Sequence, residues 1–159
     1  MMLSPHFSLE ELTASEVAAR VGISNAPPPD VMSNLVRLAE GLELVRAALG
    51  NNAVHVTSGY RSPRLNQMVG GTKHSMHMQG LAADILCPVF GPPLEVCRAI
   101  ARSSVRTDQV IHEFGKWCHV AFPPPGQIAR YELLTIRDAA TGAELGLRDV
   151  LSPSLFCCS

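Results

Sequence analysis

Apolar residues in the first third of the chain recur at three- and four-residue steps, whereas in the middle they alternate or run together. This change of period separates a helical part from a strand-bearing part. Ser8 with Glu11 and Thr13 with Glu16 each fit the capping-box pattern, which predicts two short helices, the second stopped at Gly22. After Pro27-Pro28-Pro29, Asp30 is placed to cap a longer helix. Its Leu35, Leu38, Leu42, Val45 and Leu49 form one apolar stripe that reads as core, and Gly50 ends it.

The middle of the chain predicts strands. Ala53-Val54-His55-Val56-Thr57 leads into Ser58-Gly59-Tyr60-Arg61, after which Ser62 and Pro63 open a short helix broken at Gly70-Gly71. The run from Leu81 to Leu86, interrupted only by Asp84, reads as a buried strand, and Pro92-Pro93 opens another helix through Ala101. Gln109-Val110-Ile111-His112-Glu113 and Trp117-Cys118-His119-Val120-Ala121-Phe122 pair as a hairpin. Pro123-Pro124-Pro125-Gly126 marks a boundary, followed by a weaker strand at Tyr131 to Ile136 and a turn near Thr141-Gly142. The sum is an α+β domain with N-terminal helices packed on a small, mainly antiparallel sheet. Residues 1–129 are expected to form that domain. Residues 130–159 read as a C-terminal extension packed on it, with a flexible end and apolar residues that cover a sheet edge or meet a partner.

Composition narrows the function. A chain of 159 residues with 47% hydrophobic positions can bury a proper core as a single domain. A formal net charge of −1 leaves no basic footprint for nucleic acid or anionic membrane, and no apolar run approaches a membrane span. The start lacks a basic n-region and an apolar h-region, so a protein made in the cytoplasm without a signal peptide is the expectation, and a monomer with it. The cysteines, Cys87, Cys97, Cys118, Cys157 and Cys158, are odd in number and sit in apolar segments or the tail, unlike a secreted disulfide framework. Cys118 reads as a small core residue.

His77, Asp84 and His119 are the residues with metal-ligand chemistry. Two imidazoles and one carboxylate make a zinc site that keeps a fourth position for water. A carboxylate inside an apolar strand is costly without a partner, and a cation is one such partner. A loop cap or an arginine is the other reading of Asp84. His74, three residues before His77, would close the site as a fourth ligand and reads as flanking, while His55 and His6 read as structural. Asp108 either orients a ligand or starts its strand.

Several separated islands agree in order and spacing with one family. Ser58-Gly59-Tyr60-Arg61-Ser62-Pro63, Asn66, Val69-Gly70-Gly71, Ser75-x-His77-x-x-Gly80-x-Ala82-x-Asp84-Ile85 and Glu113…Trp117-x-His119-Val120 resemble the zinc D-Ala-D-Ala carboxypeptidases of the M15 peptidase family, above all the short phage and bacterial members. The arrangement is also similar to vancomycin-resistance dipeptidases and to the signalling domain of hedgehog proteins. The resemblance covers roughly residues 6 to 125. It implies that His77, Asp84 and His119 hold one Zn²⁺ and that the substrate is a peptidoglycan peptide. It further implies that Arg61 binds substrate carboxylate or oxyanion, with Ser75 and Trp117 as further substrate contacts. Residues 30 to 50 and the proline segment after Phe122 are candidates to border the recognition pocket.

A base must accompany the metal, and Glu113 is the candidate, with His112 as its rival. The separation between Glu113 and His119 looks like the hedgehog spacing rather than that of the dipeptidases. Strand parity decides between the two. A two-residue Gly115-Lys116 turn turns Glu113 away from His119, whereas a three-residue Phe114-Gly115-Lys116 loop puts both on one face. The expected function is zinc-dependent hydrolysis of an amide bond in peptidoglycan stems, as a D,D-carboxypeptidase or as an endopeptidase of the endolysin type. Such an enzyme would act on the wall after phage-type release or as part of a phage particle. The reading from another class is a catalytically silent zinc-containing module that binds peptidoglycan or a protein.

Overall fold

The computed structural model describes residues 1–150, so Cys157 and Cys158 and the expected flexible end lie outside the described residues. Helices α1 (Leu9–Thr13), α2 (Glu16–Val21) and α3 (Pro29–Ala48) come first. Strand β1 (His55–Ser58), helix α4 (Pro63–Met68), a 3₁₀ helix (Met76–Gln79) and strand β2 (Ala82–Leu86) follow. Helix α5 (Pro93–Arg102) and strands β3 (Gln109–Glu113), β4 (Trp117–Ala121), β5 (Glu132–Ile136) and β6 (Ala143–Leu145) complete the order. The sheet runs β1-β2-β4-β3-β5-β6, antiparallel except for the parallel pair β3 and β5. The expected α+β architecture is what forms.

Local chemistry explains most boundaries. Ser8 accepts the Glu11 N–H at 3.1 Å and caps α1. The second cap differs from expectation: Thr13 is the last residue of α1, its hydroxyl donating to the Leu9 carbonyl, and Ser15 caps α2 by accepting the Ala18 N–H. Nor does Asp30 cap α3. Pro28 occupies that place and Pro29 the first helical position, where a fixed φ and a missing N–H do no harm, leaving Asp30 to face the helix N-terminal charge from the first turn. Strand β1 starts at His55 rather than Ala53, because its outermost partner is Leu86, the end of β2.

One face of the sheet packs on α3 and α5. Leu35, Leu38, Leu42 and Val45 of α3 meet Val96, Cys97 and Ile100 of α5 and the inward residues Ala83, Ile85, Val110, Cys118 and Val120. Each large side chain so buried contributes about 1.5–3 kcal/mol. Gly41 lies where α3 crosses Phe122, with space for no Cβ: one would fall 2.5 Å from the ring. The extension is part of the same sheet, β5 adding to the free side of β3 and β6 closing beyond it. Among the described residues no helix is long and apolar enough to cross a membrane.

Candidate metal centre

The other face of the sheet carries the chemistry. Ser58 of β1 pairs with Asp84 of β2, Asp84 with His119 of β4, and His119 with Ile111 of β3, so one cross-strand row holds a ligand pair side by side. A bulge between Val56 and Ser58 brings Ser58 into that row. His77 arrives from the 3₁₀ helix, which Ser75 caps by accepting the His77 N–H and which Gly80 closes at φ 68°. The segment 58–61 is stitched to it, the Arg61 N–H donating to the His77 carbonyl at 3.1 Å.

Three atoms converge. His77 Nε2 lies 3.2 Å from His119 Nδ1 and 3.3 Å from Asp84 Oδ1, and His119 Nδ1 lies 3.0 Å from the same oxygen. All three residues are buried. Their protons cannot satisfy this geometry. His77 Nδ1 sits 2.7 Å from the Gly59 carbonyl, an acceptor, so the neutral ring carries its proton there and turns a lone pair from Nε2 toward a carboxylate oxygen and a second imidazole. A proton on His119 Nδ1 can serve only one of its two neighbours. A cation at the centre satisfies all three lone pairs, and burial helps by pushing the His77 pKa down, holding the ring in its ligating neutral form. The His77, Asp84 and His119 group is thus a site that could hold a metal ion.

Asp84 is poised the same way. Burial works against its charge, but the His77 and His119 rings beside it outweigh that and hold its carboxyl below the usual carboxylate range. Arg61 takes the opposite oxygen: its Nη2 donates to Asp84 Oδ2 at 2.9 Å and its Nε to Ser58 Oγ at 3.0 Å. The arginine expected to meet substrate is therefore also the partner that orients a ligand carboxylate.

Glu113 pairs with Trp117, so the turn is the three-residue Phe114-Gly115-Lys116 form, with Phe114 and Gly115 both at positive φ. Glu113 consequently shares a face with His119 and Asp84, one row along. Trp117 Nε1 donates to Glu113 Oε2 at 2.8 Å, and the Trp117 ring packs edge-on against Phe114. Burial raises the Glu113 pKa, with nearby Asp84 adding to the rise and His119, Trp117 and Arg61 opposing it. His112 pairs with Cys118 on the opposite face and binds the Arg148 carbonyl through Nδ1 at 2.9 Å, tying down the extension.

Other candidates fall elsewhere. His74 is exposed and His6 bonds Glu43. Asp108 lies just before β3, at the end away from the centre, with both carboxylate oxygens held by Arg130, so it orients no ligand. Residues of α3 and the loop after Phe122 do line a pocket of about 410 Å³, but Phe122 belongs to the core face, opposite His119. Sequence reasoning missed the Gly59 carbonyl as the His77 partner and Ser58 as the Arg61 anchor. The one available signal was the small-residue pair ahead of Tyr60-Arg61 at a strand end.

The Peptidase M15 family profile matches residues 5–121, which spans every element of this centre and stops before β5. No curated protein matches the chain. With most of its length and its whole His-Asp-His group inside that match, the chain belongs to the Peptidase M15 family of metal-dependent peptidases.

Proposed function

We propose that this protein is a zinc peptidase that hydrolyses an amide bond in the stem peptides of peptidoglycan, as a D,D-carboxypeptidase or as an endopeptidase. The observation that carries the reading is the convergence of His77 Nε2, Asp84 Oδ1 and His119 Nδ1, with Glu113 on the adjacent row of the same face. Two imidazoles and a carboxylate suit Zn²⁺ and leave one coordination position open, and Zn²⁺ bound there would acidify water and polarise a carbonyl. Glu113 takes the proton from the attacking water and returns it to the leaving amine. Its Oε2 is held by Trp117, leaving Oε1 for that exchange, and its raised pKa moves it toward the range where it can both accept and donate. Arg61 fixes the Asp84 carboxylate and presents its remaining N–H groups to substrate oxygen. Peptidoglycan as the substrate rests on the motif islands around Arg61, His77 and His119, and action on the wall then follows phage-type release or carriage on a phage particle.

The test is to purify the protein, measure bound metal, and follow amine release from muropeptides for the wild type, His77→Ala and Glu113→Ala. The expected result is one Zn²⁺ and hydrolysis in the wild type, loss of both in His77→Ala, and retained metal without turnover in Glu113→Ala. Full metal with no hydrolysis across a muropeptide panel would instead make the domain a silent zinc-containing binding module.

A further inference from the structure

The sheet ends at β1, whose outer side pairs with no strand among the described residues. Beyond Ser58 the chain is closed off: the Tyr60 N–H donates to the Leu12 carbonyl at 2.7 Å and the Arg61 N–H to the His77 carbonyl. Val56, Thr57 and Ser58 instead line a groove of about 570 Å³, whose walls include Ala14 to Val17 and Leu65 and Val69 of the α4 region. That volume is in the range of ligand pockets. Open strand edges are usually blunted by lysine or proline or covered by another element. His55 to Ser58 contains neither lysine nor proline, and here the walls stand back far enough to leave a groove.

Arg61 links this groove to the metal centre. It lines the groove and also donates to Asp84 Oδ2, while Asp84 Oδ1 belongs to the ligand triangle. The groove therefore ends one guanidinium away from the reacting position.

We propose that the open edge of β1, Val56 to Ser58, is the strip that binds the substrate main chain: an extended peptide lies in the groove as an added strand and carries its scissile bond past Arg61 to the His77–Asp84–His119 triangle. The inference rests on the chain being a peptidase and deepens that reading. Pairing with a strand edge reads main-chain N–H and C=O groups. Such pairing makes few demands on side-chain identity, while Val17 and Leu65 supply apolar contact and Arg61 a charge-assisted bond to a substrate carbonyl or carboxylate.

The experiment uses the full-length, zinc-loaded Glu113→Gln protein, which binds without turnover. Amide hydrogen exchange is followed with the pentapeptide L-Ala-γ-D-Glu-L-Lys-D-Ala-D-Ala and, in parallel, with a tryptic digest of casein. At a peptide concentration of about ten times Kd, exchange within residues 56–58 is expected to slow by about tenfold. In the otherwise wild-type protein, Ala14→Trp and Val69→Trp fill the groove from exposed positions outside the catalytic machinery. Each is expected to raise KM for the cleaved peptide about tenfold with kcat and bound zinc unchanged, as a loss of uniform binding. Protection by the casein peptides alone would retain the edge and sink the peptidoglycan reading. Protection by neither peptide set, or hydrolysis with unchanged KM in both tryptophan variants, would overturn the edge proposal.

Discussion

Arg61 donates to Oδ2 of Asp84 at 2.9 Å, the oxygen turned away from His77 and His119. Asp84 is buried and Arg61 largely so, and removing the guanidinium leaves Oδ2 without its partner and frees the carboxylate to rotate. Arg61→Ala is expected to weaken zinc affinity by about 10–100-fold, the usual effect of losing a group that orients a ligand. Competition with a chromogenic chelator measures this; an unchanged zinc Kd alongside a large rise in KM would assign Arg61 to substrate alone.

Glu113 and Trp117 face each other across the hairpin, joined by an indole N–H to carboxylate hydrogen bond. Glu113→Gln is expected to keep its metal and its melting temperature and to lose about 10²–10⁴-fold in kcat. Trp117→Phe removes a bond that favours the charged carboxylate, so the acidic limb of the kcat/KM profile should move to higher pH. A limb that stays in place would detach Glu113 from the titration.

His112 lies on the other face, bonded to the Arg148 carbonyl. His112→Gln is therefore expected to leave hydrolysis intact while lowering stability by about 1 kcal/mol through the lost contact with the extension. Urea unfolding and steady-state rates on one preparation separate the two effects.

Gly59 has no space for a side chain. A Cβ there would fall 2.3 Å from the Leu12 carbonyl oxygen, and the Gly59 carbonyl itself holds the His77 ring. Gly59→Ala is expected to destabilise the fold by about 1–3 kcal/mol through overpacking and to loosen zinc at the same time. Calorimetry with and without a chelator would show both.

Acid should dismantle the centre. His77 has its pKa lowered in the fold by burial, from an ordinary 6.5, so the unfolded chain binds the proton more readily and stability declines as pH falls below that ordinary value. Asp84, also depressed, adds a second loss as pH falls below the ordinary 3.8. Metal release should begin in the first of these windows, since the ligating ring must be neutral. Thermal melts from pH 7.5 to about 3 with metal analysis test both windows; a flat melting temperature across pH 6 would refute the assignment for His77.

Periodicity and turn chemistry placed nearly every element, because helix stripes, prolines and cap residues act over a few positions of chain. They misplaced two caps, Thr13 and Asp30, where adjacent residues compete for one role and backbone geometry chooses. The ligand types were legible because His77, Asp84 and His119 stand in islands of recognisable order, and Glu113 because parity leaves only two arrangements of its hairpin. Which arrangement forms depended on Phe114 and Gly115 adopting positive φ. Arg61 and Asp84 are 23 residues apart, and Gly59 and His77 are 18 apart. Such bonds follow from the β1 bulge and the sheet order, so local patterns do not announce them. The same holds for the open edge of β1: the chain specifies a strand, and only the packing of α1, α2 and α4 around it decides which of its backbone groups stay exposed.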